Sequence, residues 1–252
     1  MTAHQYLRSV LARYSLTEGD TETAKTITGT IRDMLGRAYG PKIDDSSYLI
    51  RCHRKSPDST ALDIDIAVHF EHHSFRTVKE MYDSLYDLLW CFYDTAKKRS
   101  SISVRIDDHT IDMIPVRLTD KTVMSGEIYD MYRGRSLRTN ILRQWESVER
   151  SVHGDAVRLM RIWKYRNGVE ARSFFLELIA VNVLSDFGSE RLDDQVVRIL
   201  ECLRDDIDDI VLTDPGNTGN DIARTLSPDE RRALSKASSA SLERTRWMDI
   251  VW

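Results

Sequence analysis

Residues 62–70 read Leu-Asp-Ile-Asp-Ile-Ala-Val-His-Phe. Side chains alternate along a strand, so Leu62, Ile64, Ile66 and Val68 share one face and Asp63, Asp65, Ala67 and His69 the other. An apolar set at period 2 argues for a sheet with one face in a core. The two acids then project together from the opposite face. Like charges that close are costly unless positive charge sits between them. Hard Mg²⁺, which takes carboxylate oxygens together with substrate phosphates, meets that need. A solvated acidic face has the same spacing, so the pair alone does not choose between the two.

The surrounding periodicities place this strand in a larger pattern. Helices are expected over about 3–14 and 20–38, the second with Asp20 at its start and Gly40-Pro41 just past its end. Ser47 to Cys52 reads as a further strand. Val78, Met81, Leu85, Leu88, Leu89 and Phe92 form the apolar stripe of a helix over about 74–96, and Lys97-Lys98-Arg99 would complement its C-terminus. Strands follow at 101–106 and 110–118, joined by a turn at Asp107-Asp108-His109. After about Leu137 the period is helical, with helices near 138–149, 153–166, 172–187, 191–207 and 228–246. The segment 213–220 reads as their main loop. The fold class is therefore α+β: an N-terminal mixed or antiparallel sheet with flanking helices over 1–136, then a helical domain over 137–252, with a binding cleft expected between them.

Composition bounds what such a chain can do. Of 252 residues, 36 are basic and 40 acidic, a net charge of −4, so no global basic field exists to hold long nucleic acid. Cys52, Cys91 and Cys202 are scattered and form no CxxC pair, which fits neither a disulfide framework nor a zinc site. Met1 to Tyr14 has no apolar signal core, and no window reaches the ~18 apolar residues of a membrane span. A reduced, cytoplasmic protein is the expectation.

A third acid changes the weight of the first two. Ile111-Asp112-Met113-Ile114-Pro115 puts one carboxylate in another apolar strand. If that strand neighbours 62–70, Asp112 completes a cluster able to hold two metal ions. A strand-borne D-x-D followed by a lone Asp before two apolar residues and Pro resembles the polymerase-β-like nucleotidyltransferase superfamily. Three later segments look like its motifs in the same order. These are Ala156 to Lys164, Ser173 to Ile179, and Thr213-Asp214-Pro215 through Asn220-Asp221-Ile222-Ala223-Arg224. The resemblance covers roughly 45–235 and is nearest to bacterial antiphage oligonucleotide cyclases and oligoadenylate synthase-like enzymes.

That resemblance implies a Mg²⁺-dependent transfer, with two ions and Mn²⁺ as an alternative. Asp63 and Asp65 would hold both metals, and Asp112 the catalytic one while taking the acceptor proton. NTPs would be joined to a hydroxyl with release of pyrophosphate, giving a cyclic or short linear oligonucleotide signal in antiphage defence. The acceptor would be a nucleotide or a short nucleic acid, and an effector or regulator protein encoded alongside is a further implied partner. Arg161 aligns with the superfamily's phosphate-contacting Lys, and Lys164 lies three residues on. Asn217 and Asn220 would meet the base, since an amide both donates and accepts. The departure is the Gly-Ser expected about a dozen residues before Asp63, where this chain has Arg51-Cys52. Arg54, Lys55 and Ser56 would then hold phosphate by side chains. The alternatives are an RNA 3′-end nucleotidyltransferase and a catalytically degenerate nucleotide-binding scaffold.

Several clusters have structural readings of equal or greater weight. Arg133, Arg135, Arg138 and Arg143 could line an acceptor path or be surface charge. His69, His72 and His73 invite a zinc reading but lack ligand spacing, so a loop cap is preferred. Asp205 to Asp209 reads as a solvated face. Glu177 lies in an apolar helix and needs an Arg or Lys partner.

Overall fold

The alternating stretch is strand β2 (Leu62–Phe70), and Leu62, Ile64, Ile66, Val68 and Phe70 are all fully buried. The computed structural model describes residues 1–252, with side chains described for 1–43 and 48–252. In it β2 stands within a seven-stranded mixed sheet. Strand β1 (Ile43–Arg54) pairs with it antiparallel, and β5 (His109–Asp120) lies on its other side in parallel. A parallel pair needs a crossover. Here it contains helix α3 (Val78–Trp90) and the antiparallel strands β3 (Asp94–Lys97) and β4 (Ile102–Ile106), which extend the sheet beyond β5. Strands β6 (Ser125–Asp130) and β7 (Arg135–Thr139) form a hairpin on the far end of β5. Gly126 permits that pairing: a Cβ there would stand 2.5 Å from Val116 and 2.8 Å from the Arg117 carbonyl oxygen.

One face of the sheet is covered by α2 (Glu18–Tyr39) and α3. Ile27, Ile31 and Leu35 of α2 and Met81, Tyr82, Leu85 and Leu89 of α3 join the buried strand residues in a single core. The first turn of α2 is fixed by a capping box between Thr17 and Asp20. Two expectations are corrected here. Helix α3 stops at Trp90 instead of running to Ala96, because its buried stripe ends at Leu89 and Phe92 is exposed. The chain then turns back as edge strand β3, where the β-branched Thr95 suits extended backbone. Lys97-Lys98-Arg99 is therefore no helix terminus: Lys97 ends β3, and Lys98 and Arg99 lead the turn into β4.

Contacts divide the chain into two units, residues 14–142 and residues 1–13 with 143–252. The second is helical. It holds α1 (Ala3–Arg13), α5 (Gly154–Arg166), α6 (Ser173–Leu184), α7 (Leu192–Asp205), α8 (Pro228–Leu242) and most of α4 (Ile141–Glu149). Helix α1 belongs to it by packing. Leu7 and Val10 are fully buried, Arg8 pairs with Asp155 at 2.8 Å, and the Leu192 N–H donates to His4 Nδ1. Trp163, fully buried on α5, donates its indole N–H to Ser241 Oγ on α8 at 2.9 Å. The segment expected as a loop at 213–220 contains a small hairpin, β8 (Thr213–Asp214) with β9 (Asn217–Asp221). Among the described residues no helix is long and apolar enough to cross a membrane.

Candidate active site

The register of four strands assembles the acid face. Asp65 is the direct partner of Asp112 across the parallel β2–β5 ladder, with Arg51 of β1 opposite Asp65 and Ser103 of β4 opposite Asp112. Two residues along, Asp63 is flanked by His53 and Thr110, and Thr110 by Arg105. Directly paired residues point to the same side of a sheet, with strands ~4.8 Å apart. The alternating burial agrees. Ile64, Ile66, Ile111 and Met113 are buried in the core, while Asp63, Asp65 and Asp112 are half-buried on the other face. The three acids predicted to gather thus share one face over two adjacent rungs.

Cations ring this face. Lys98 donates to both oxygens of Asp112, at 2.8 and 2.6 Å. Lys55, in the β1–β2 connection, donates to Thr110 Oγ1. Burial pulls the Lys55 ammonium below its ordinary pKa, against the charges of Asp63 and Asp112 that hold it up. Cys52, on the core side of β1, is pushed up to about 11 by burial and by the charges of Asp20, Asp63 and Asp65, so it is an inert thiol.

Three carboxylates supply only hard oxygen donors, on neighbouring rungs of one face, and that donor set fits a divalent cation of the Mg²⁺ class. Among the described residues no three His, Cys, Asp or Glu side chains already converge as a closed ligand group. Asp112 is turned to Lys98 instead. The backbone brings the three acids onto one face; holding an ion there would take a change of side-chain rotamer.

The other sequence-predicted residues separate into those near this face and those tied elsewhere. Ser56 lies beside Lys55 in the connection, its Oγ accepting the Asp58 N–H. Arg54 forms a largely buried ion pair with Asp20, at 3.1 Å, and so ties β1 to the start of α2. Arg51 and Cys52, which stand where the superfamily's Gly-Ser was expected, lie within β1, which runs to Arg54. In the helical unit, Arg161 is 9% exposed and pairs with Glu177 at 3.3 Å, the partner Glu177 required. Lys164, one turn on, donates to Ser173 Oγ at 3.0 Å. Asn217 and Asn220 both lie in the β8–β9 hairpin. The Asn217 side-chain oxygen accepts the Gly219 N–H, and the Asn220 amide reaches Asp214 at 3.5 Å. Buried Asp214 also accepts from Gln144 and the Gly216 N–H, which fixes the hairpin's base. His72 caps a loop, with Nδ1 at 3.0 Å from the Leu118 carbonyl oxygen.

The residues that sequence reasoning missed are Lys98, Thr110 and Arg105. Thr110 and Arg105 could have been found from strand parity once β4, β5 and β2 were known to be neighbours. Lys98 carries no local signal, because its role comes from the turn that replaces the expected helix end.

No protein-family model matches the chain, and no curated protein matches it in sequence. Solved structures match it along nearly its whole length. Escherichia coli MS115-1 CdnC with ATP is 16% identical at a TM-score of 0.69, covering 99% of this chain and 97% of that one. The same CdnC is also solved as a CdnC:HORMA-deltaN complex. Bradyrhizobium diazoefficiens CdnG in complex with GTP is 16% identical at 0.69, covering 94% and 90%. Vibrio cholerae DncV cyclic AMP-GMP synthase, with the linear intermediate 5′ pppA(3′,5′)pG, is 13% identical at 0.65, covering 94% and 89%. The chain has the fold of these proteins, the one its superfamily resemblance implied.

Proposed function

We propose that this protein is a divalent-metal-dependent nucleotidyltransferase that joins NTPs, releasing pyrophosphate, into a cyclic or short linear oligonucleotide. The observation that carries this reading is the pairing of Asp65 with Asp112, with Asp63 one rung away on the same face. Support comes from the fold, since structures that share it hold ATP, GTP and a linear pppApG.

Asp63 and Asp65 would hold two Mg²⁺ or Mn²⁺ ions, with Asp112 as a ligand of one. Bound there, such ions would supply charge for the triphosphate and acidify the attacking hydroxyl. Asp112 accepts the proton of that hydroxyl. Lys55, with Ser56 beside it, neutralises phosphate at the edge of the face. Its half-buried ammonium is poised for this, being poorly solvated. Lys164 supplies a further phosphate contact, and Asn217 and Asn220 meet the base. Arg161 is assigned to holding α5 against α6 through Glu177, because it is buried and already paired. Positioning and charge neutralisation suffice for phosphoryl transfer, so no covalent enzyme intermediate is formed.

The product is proposed as a signal in antiphage defence, and a regulatory protein is proposed as partner, by analogy with the CdnC:HORMA-deltaN complex. A second reading, a nucleotide-binding protein without turnover, draws on the Lys98–Asp112 pair that occupies one of the three acids. The experiment is incubation with each labelled NTP and Mg²⁺ or Mn²⁺, followed by separation of products. Pyrophosphate release with a phosphodiester-linked product is expected. NTP binding without pyrophosphate release would establish the second reading.

A further inference from the structure

We propose that Lys98 is a displaceable counter-ion of the carboxylate face: it neutralises Asp112 in the metal-free protein and leaves it when a divalent cation binds. The inference rests on the metal-site reading above.

Three carboxylates on neighbouring rungs repel one another unless positive charge is supplied. The strand register supplies some. Arg51 stands opposite Asp65 on β1, and Arg105 lies beyond Thr110 on β4. Neither is bonded to Asp112. Lys98 is, through both carboxylate oxygens, at 2.8 and 2.6 Å. With both oxygens on Lys98, Asp112 must share or give up that contact to bind a metal, and among the described residues no three acids, histidines or cysteines are already gathered to hold one.

The backbone that carries Lys98 is fixed. Its N–H donates to the Ser101 carbonyl oxygen at 2.9 Å. The buried Tyr82 hydroxyl lies 2.6 Å from the Lys98 carbonyl oxygen and 3.0 Å from that of Ser101. Next in the chain, Arg99 forms a buried ion pair with Asp130, at 2.7 Å, and its carbonyl oxygen accepts the Met131 N–H. Only the side chain is left to move, and it is 47% exposed, so water solvates the ammonium once it is released. Lys55 is the poorer candidate for release. It is held by Thr110 Oγ1, not by a carboxylate, and is more deeply placed. The neighbouring Lys97 is committed elsewhere, paired with Asp83 at 2.7 Å and lying 4.4 Å over the Tyr86 ring.

Two consequences separate displacement from a general effect of charge. Metal binding should expose the Lys98 amine, and removing Lys98 should tighten metal binding more than removing a nearby cation that is not bonded to the acids. The test labels the full-length protein with an amine-reactive acetyl ester, with and without Mn²⁺, and quantifies each lysine by mass spectrometry. Mn²⁺ binding is measured separately by electron paramagnetic resonance. In wild type, Lys98 labelling should rise several-fold with Mn²⁺ while Lys97 labelling stays constant. In Asp112→Asn it should be high with or without Mn²⁺. Lys98→Met should bind Mn²⁺ about two- to fivefold more tightly, the scale of one partly exposed ion pair. Arg105→Met should change it less. Should Asp112→Asn fail to fold, the wild-type labelling and the Lys98→Met affinity decide alone. Mn²⁺ binding to wild type with unchanged Lys98 labelling would overturn the proposal and leave the metal site standing. Equal effects of Lys98→Met and Arg105→Met would do the same. Binding to Lys98→Met but not to wild type would support it strongly. Absence of Mn²⁺ binding in both removes the metal-site reading and this inference with it.

Discussion

The sheet unit and the helical unit hold their candidate residues in different ways. In the sheet, Asp63, Asp65 and Asp112 are placed by backbone register: neighbouring strands set which residues share a rung, and strand period sets which share a face. At the Asp112 carboxylate the contact is with one half-exposed lysine, Lys98. In the helical unit the candidates are placed by side-chain bonds. Arg161 pairs with Glu177, Lys164 donates to Ser173, and Asn220 reaches Asp214, itself buried under three hydrogen bonds. A site set by register can lose a side chain and keep its fold. One set by buried pairs cannot.

Substitutions in the two units should therefore fail differently. Asp63→Asn with Asp65→Asn should take NTP turnover to background while circular dichroism stays native. The melting temperature should hold or rise, since like-charge repulsion is relieved. Loss of fold in that double variant would contradict placement by register. Glu177→Ala in the helical unit should do the reverse. It leaves the Arg161 guanidinium buried without its partner, at a cost of about 3–5 kcal/mol read from urea denaturation. A cost below about 1 kcal/mol would mean that water reaches the pair and that Arg161 is available to substrate.

Within the sheet unit, one buried pair, Arg99 with Asp130, also stabilises the fold. Burial raises the Asp130 carboxyl, but hydrogen bonds and charge from Arg99 and the Arg133 N–H outweigh it and leave its pKa below the ordinary value. A depressed carboxylate contributes stability that is fully present above the unfolded pKa of ~3.9 and is lost as pH falls through the folded one. Wild type should thus lose stability on acidification below about pH 4 by more than Asp130→Asn does. Parallel acid-unfolding curves for the two proteins would show that the pair contributes nothing.

Strand period made the acid pair legible, because alternation needs no tertiary information: β2 runs from Leu62 to Phe70 as its pattern requires. The adjacency of Asp112 was not in the local pattern and came with the motif order of a known superfamily. Strands β6 and β7 were missed because they bury few apolar side chains, chiefly Ile128 and Tyr129, and carry Arg135, Ser136 and Arg138 outward. The β8–β9 hairpin reads as a loop because it is polar throughout and is held by Asp214 and Asp221 side chains, not by a hydrophobic face. Lys98 was hidden by the continuation of the α3 stripe to Phe92, which the fold leaves in solvent. In each case tertiary bonds override a local preference.

Asp63, Asp65 and Asp112 together should hold divalent metal for NTP chemistry. A crystal grown with Mn²⁺ and a non-hydrolysable NTP, measured at the manganese edge, tests it by anomalous scattering. Two peaks are expected between Asp63, Asp65 and Asp112, ~3.5–4 Å apart, with the Lys98 ammonium turned away from Asp112. A bound NTP with its only manganese peaks away from these three carboxylates would contradict the account.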